Sequence, residues 1–109
     1  MLTGFMDLIF EHEGRYYVLD YKSNRLSGYS NEDLQTSILG HRYDVQYTLY
    51  LLALHRLLKS RLDDYDYDEH VGGAIYLFLR GIQFESQGVF VDRPSKALIL
   101  ALDEAFKGV

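Results

Sequence analysis

Three residues near the start of the chain have the types and spacing to do chemistry. Asp7 ends the apolar run Gly4-Phe5-Met6-Asp7, and Asp20 and Lys22 end the next, Val18-Leu19-Asp20-Tyr21-Lys22. If both runs are strands, they pair as a hairpin. Residues i and i+2 of a strand point to one face, so Asp20 and Lys22 share a side and Asp7 arrives beside them from the neighbouring strand. Two carboxylates and an ammonium in one place suit a hard divalent cation with a polarised water next to it. The plain alternative is a surface salt bridge at strand ends. Against it, Asp and Lys are poor strand formers, yet here they follow directly on an apolar strand.

Around these residues the chain reads as strand, strand, short helix, long helix, strand, helix. Residues 2–10 form the first strand, residues 11–15 a turn in which Gly14 is free to take positive φ, and residues 16–21 the second strand. Residues 23–29 are a polar loop. Ser30-Asn31-Glu32-Asp33 has the pattern of a capping box and opens a helix over 31–39 that stops at Gly40. Residues 42–62 form the longest helix, with one apolar stripe at Val45, Leu49 and Leu52 and another at Tyr47, Leu51, Leu54 and Leu58. Two stripes predict burial on much of its circumference. Gln46 and Tyr50, four apart, project from one face of its first turns, towards the strand ends. Residues 63–70 read as an acidic, solvated connector. The continuous apolar run 74–79 suits a strand covered on both faces. A short strand follows at 88–91, and Pro94 or Ser95 opens a last helix to about residue 107, with Leu98, Leu102 and Phe106 on its buried face. The resulting class is α/β or α+β: a small mixed sheet with flanking helices.

Composition bounds what this assembly does. With 109 residues the chain is one domain at most, and 48% hydrophobic residues are enough for a packed core. The absence of cysteine excludes disulfides, thiolate zinc sites and thiol catalysis, and fits a cytoplasmic protein. A net charge of −5 argues against strong autonomous DNA binding, though not against catalysis on DNA delivered by something else.

Taken together, Gly-Phe-Met-Asp7, Leu-Asp20-Tyr-Lys22 and Gln46-Tyr-Thr-Leu-Tyr50 resemble the PD-(D/E)XK nuclease superfamily. The blocks Tyr16–Asn24, His41–Asp44, Leu52–Arg56, Asp64–Tyr67 and Gly72–Gly81 resemble, within it, the nuclease domain of the RecB family (exodeoxyribonuclease V beta subunits). The resemblance implies a partial restriction-endonuclease-like fold, with residues 1–109 as the C-terminal part of such a domain, lacking its first part and an upstream helicase. It implies Mg²⁺, with Mn²⁺ as a substitute, held by Asp7, Asp20 and the backbone carbonyl of Tyr21. Lys22 would orient or polarise the attacking water, and Gln46 and Tyr50 would brace the site or contact DNA. The implied activity is hydrolysis of DNA phosphodiesters in recombination and double-strand-break repair, beside the RecB helicase region and with RecC and RecD subunits. The family also uses a histidine ligand and an acidic residue from upstream elements. His12, His41, His55 and His70 do not stand where that histidine comes from, although His41 precedes the long helix and can approach the site. The isolated chain is therefore expected to cut weakly or not at all.

A reading from another class is a non-catalytic docking module for helicase subunits or regulators; an apolar sheet face left open would also favour self-association. Asp64, Asp66 and Asp68 alternate as in a calcium loop, but Glu69 and Ile75 stand where that loop needs Gly and Glu. The tyrosines at 43, 47 and 50 are placed for stacking on bases or for core packing with hydroxyls at the rim.

Overall fold

The computed structural model describes residues 8–23 and 25–107, for Leu8 the backbone alone. Asp7 and the beginning of the expected first strand lie outside the described residues, as does Asn24. The elements are β1 (Leu8–His12), β2 (Arg15–Lys22), α1 (Asn31–Gly40), α2 (Tyr43–Arg61), α3 (Tyr67–His70), β3 (Val71–Phe78), a single 3₁₀ turn (Leu79–Gly81), β4 (Val89–Asp92) and α4 (Lys96–Ala105). They build a mixed sheet in the order β1-β2-β3-β4. β1 and β2 are antiparallel, β2 and β3 parallel across the helical crossover, and β3 and β4 antiparallel. No helix among the described residues is long and apolar enough to cross a membrane.

Local chemistry accounts for the element ends. The β1–β2 turn is tighter than the expected five residues, because only Glu13 and Gly14 lie between the paired His12 and Arg15. Both have positive φ, 54° and 81°, the two-residue geometry whose twist matches its flanking strands. The capping box of α1 is present: the Ser30 hydroxyl accepts from the Asp33 amide, and the Asp33 carboxylate accepts from the Ser30 amide. Ser95 caps α4 in the same way through the Leu98 amide.

β3 begins earlier than its apolar run, at Val71. The β2–β3 register steps from Tyr16↔Val71 to Tyr17↔Gly73, so Gly72 is an extra residue in the ladder. A Cβ on Gly72 would lie 2.2 Å from the Tyr17 ring, and Gly73, at φ 131°, has the Asp92 carbonyl 2.7 Å from where its Cβ would be. The two glycines let three strands converge here, and beyond them Val18↔Ala74, Leu19↔Ile75 and Asp20↔Tyr76 run in regular register.

α2 lies across the face carrying Val18, Ala74, Tyr76 and Phe78, with the Tyr47 ring against both Tyr76 and Phe90. The other face is less covered than a continuous apolar run predicts. Ile75 and Leu77 are half-buried, and their β4 partners Val91 and Val89 are exposed.

The stripes of α2 divide. Tyr47, Leu51, Leu54 and Leu58 are all buried, but of the other set only Leu52 is; Val45 and Leu49 are 47% and 46% exposed. The buried residue of α4 is Ile99, while Leu98 and Phe106 are exposed and Leu102 half-buried. These residues instead face one another across an open groove of about 360 Å³ between α2 and α4. The two helices are joined by polar contacts. Arg56 donates to the Asp103 carboxylate at 2.6 Å and to the Asp103 and Phe106 carbonyls.

The acidic connector, with Asp63, Asp64, Asp68 and Glu69 exposed, is also tied down. It contains α3, with Tyr67 buried and its hydroxyl donating to the Pro94 carbonyl at 2.6 Å. Asp66 pairs with Lys96 and Asp68 with Arg93. Among the described residues no cluster of acidic or histidine side chains is gathered as a metal cage there or elsewhere.

Buried His55 has Nδ1 2.6 Å from the Tyr65 hydroxyl and Nε2 3.8 Å from Asp103. Burial holds its pKa below the ordinary value of 6.5, against the pull of Asp103 and with Lys59 and Arg56 adding to the depression. The unfolded chain therefore takes up a proton near pH 6.5 that the folded chain refuses until lower pH, and stability falls as pH drops through that window. Thermal melts at pH 7.5 and 5.5 should show this loss, and His55→Gln should reduce it. An equal loss in the variant would assign the pH dependence to other groups.

Candidate active site

The site is built at the C-terminal end of β2. Alternation along the strand places Asp20 and Lys22 on the α2 face and Tyr21, 45% exposed, on the other. Asp20 is only 3% exposed, and the Lys22 ammonium is 3.0 Å from its Oδ2. A carboxylate so far from water is tolerated only with a charge partner or hydrogen bonds, and Lys22 supplies the charge. The expectation that these two share a face is met.

The floor under Lys22 is aromatic. Its ammonium lies 4.2 Å from the centroid of the Tyr43 ring and 5.3 Å from that of Tyr76, both within the range of a cation–π contact. Tyr76 is the register partner of Asp20 on β3, and its hydroxyl donates to Gln46 Oε1. Burial first, then the neighbouring Asp20, raises the Tyr76 pKa, so the phenol stays protonated and remains a donor at neutral pH. Gln46 thus reaches the site through Tyr76. Tyr50, one turn further along α2, is buried.

Among the histidines, His41 lies beside Tyr43 at the start of α2. Its ring stacks on Tyr43 at 5.0 Å, and its Nδ1 lies 3.2 Å from the Ser37 carbonyl. His12 is at the hairpin turn beside Glu13, His55 lies in the far half of α2, and His70 ends α3. Asp7, as noted, lies outside the described residues.

Chemically, the arrangement offers a buried hard oxygen donor, a cation beside it and a strand backbone rich in carbonyls. This donor set, oxygen without sulfur or imidazole, fits a hard divalent ion. Asp20 and the carbonyl of Tyr21 are the described groups that would hold it. The sequence reading missed Tyr43 and Tyr76 as neighbours of Lys22. Tyr76 sits inside an apolar run, and only the parallel register sets it opposite Asp20.

Replacing Tyr76 by Phe keeps the ring under Lys22 but removes the donor to Gln46. We expect a folded protein destabilised by about 0.5–1.5 kcal/mol, the usual net worth of one hydrogen bond, in urea unfolding. No measurable loss would mean that Gln46 finds an equivalent partner.

Residues 1–107 match the model of the PD-(D/E)XK nuclease superfamily. The chain is 54% identical over 115 residues to the RecBCD enzyme subunit RecB of Escherichia coli K12, covering all of this chain and 10% of the relative. It is 50% identical to the subunit of the same name in Haemophilus influenzae, over 97% of this chain and 9% of the relative, and 37% identical to that of Mycobacterium tuberculosis, over 94% and 11%. The chain thus spans about a tenth of the length of these curated relatives. Matched over all but its last two residues, the chain belongs to the PD-(D/E)XK nuclease superfamily.

Proposed function

We propose that this chain carries the catalytic centre of a metal-dependent DNA phosphodiesterase of the exodeoxyribonuclease V kind, acting in recombination and double-strand-break repair. The observation that carries the reading is the buried Asp20–Lys22 pair at a strand end, packed against the helix bearing Gln46 and Tyr50, in a chain of this superfamily.

Asp7, Asp20 and the Tyr21 carbonyl would hold the ion, Mg²⁺ in cells and Mn²⁺ as a substitute. The bound ion supplies a Lewis acid for the phosphoryl oxygen and lowers the pKa of a water. Lys22 orients the attacking water and offsets charge that grows on the phosphorus oxygens only in the transition state, which is where a fixed cation accelerates a reaction most. Gln46, held by the Tyr76 hydroxyl, and Tyr50 brace the helix against that strand end. DNA is presented by the helicase region of the longer polypeptide and by RecC and RecD, consistent with a net charge of −5 that gives this chain little attraction of its own for phosphate.

A second reading has an observation in its favour. The open groove lined by Val45, Leu49, Leu98, Leu102 and Phe106 is a surface suited to docking, and a docking module would keep the fold without using the site.

One experiment separates the two. The chain is substituted for the matching segment of the Escherichia coli relative and assembled with its partner subunits. DNA cleavage and unwinding are then measured with Mg²⁺, with EDTA, and with Asp20→Ala. The nuclease reading requires that cleavage be lost on chelation and fall roughly 100-fold or more in Asp20→Ala, the scale for removal of a group that stabilises transition-state charge, while unwinding with Mg²⁺ is retained. Equal loss of cleavage and unwinding in the variant would make Asp20 structural and favour the docking module.

A further inference from the structure

Lys22 has a long, rotatable stem, and one contact to Asp20 does not fix where its ammonium points. Two ring faces complete the hold, Tyr43 at 4.2 Å and Tyr76 at 5.3 Å, with the rings themselves 5.4 Å apart. Tyr76 is fully buried and part of the core, whereas Tyr43 is half-buried. Tyr43 is the first residue of α2, entered through Arg42 in a left-handed backbone conformation, φ 56°. The ring of His41 stacks on it, nearly parallel at 14°. Tyr43 is thus braced from its own chain and shares α2 with Gln46.

We propose that Tyr43 is a positioning residue for Lys22, its ring face keeping the ammonium at the strand end when Asp20 is engaged by a cation. This rests on the nuclease reading for its purpose but not for its geometry. A divalent ion on Asp20 neutralises the charge that attracts Lys22 and repels the ammonium directly. The ring faces are neutral and keep their attraction for the ammonium. Without them Lys22 would swing towards solvent just when its charge is needed. A phenylalanine presents a similar face; a leucine does not.

The first readout is structural and uses the chain itself. In ¹³C-resolved spectra, the ε-methylene protons of Lys22, assigned with Lys22→Arg, should lie upfield of those of exposed Lys107 because of the ring current. Tyr43→Phe should keep this displacement and Tyr43→Leu should reduce it, and Mg²⁺ added to the parent should not abolish it. An unshifted Lys22 in the parent overturns the proposal without any Tyr43 variant.

The second readout is kinetic, in the substituted enzyme described above. Tyr43→Leu should lower kcat about tenfold, the rate equivalent of an ordinary cation–π contact, with KM for DNA nearly unchanged and Tyr43→Phe close to the parent. Parent-like kcat in Tyr43→Leu, with the parent cutting, overturns the positioning role alone. A parent that does not cut removes the nuclease reading, and the spectra still decide where Tyr43 holds Lys22.

Discussion

A carboxylate and an ammonium 3.0 Å apart at the end of a half-covered strand are the constraint to which much of this structure answers. Neither charge is tolerated there alone, and each demands directional partners from other elements. β3 answers with Tyr76, set opposite Asp20 by the parallel register, and α2 with Tyr43, while Gln46 accepts from the Tyr76 hydroxyl. That register depends on the bulge at Gly72. Since side chains alternate along a strand, a slip of one residue would send Tyr76 to the other face and leave Gln46 and Lys22 without its hydroxyl and ring. A glycine pair about as many residues from Tyr76 as Tyr17 is from Asp20 therefore takes part in defining the site.

α2 is the element common to both ends of the molecule. Its first turns carry Tyr43, Gln46 and Tyr47, the last donating to Asp92 at 2.5 Å, and its last turns carry His55 and Arg56, tied to Tyr65 and Asp103. These polar clasps add to the apolar packing of Leu51, Leu54 and Leu58. α4 meets α2 with one fully buried residue, Ile99, and presents Leu98, Leu102 and Phe106 along the groove. The helix that presents the site's neighbours is thus held at its far end by hydrogen bonds and ion pairs with the acidic connector and α4. Their polar chemistry explains why a segment with exposed acids is also fixed against the core through Tyr65 and Tyr67.

Several features were legible in the residues alone. Ser30 and Asp33 specify the start of α1, because a capping box satisfies its own backbone donors locally. A reversal at Gly14 and the long helix follow from positive-φ tolerance and from periodicity, although the turn closes with two residues where five were expected. The common face of Asp20 and Lys22 is a property of any extended strand. Less legible was which apolar stripe would be covered. Val45 and Leu49 carry the same signal as Leu51 and Leu54, and only the placement of α4 leaves them open.

The sequence by itself therefore determined most of the elements and the common face of Asp20 and Lys22, which depend on interactions within a few residues. The tertiary structure alone decided that this pair is buried, that Tyr43 and Tyr76 lie beneath the ammonium, and that Gln46 reaches the site through a tyrosine 30 residues away. Those contacts join strand to strand and strand to helix across a long crossover. Their geometry is set by sheet register and by the seating of α2, and no local pattern encodes either.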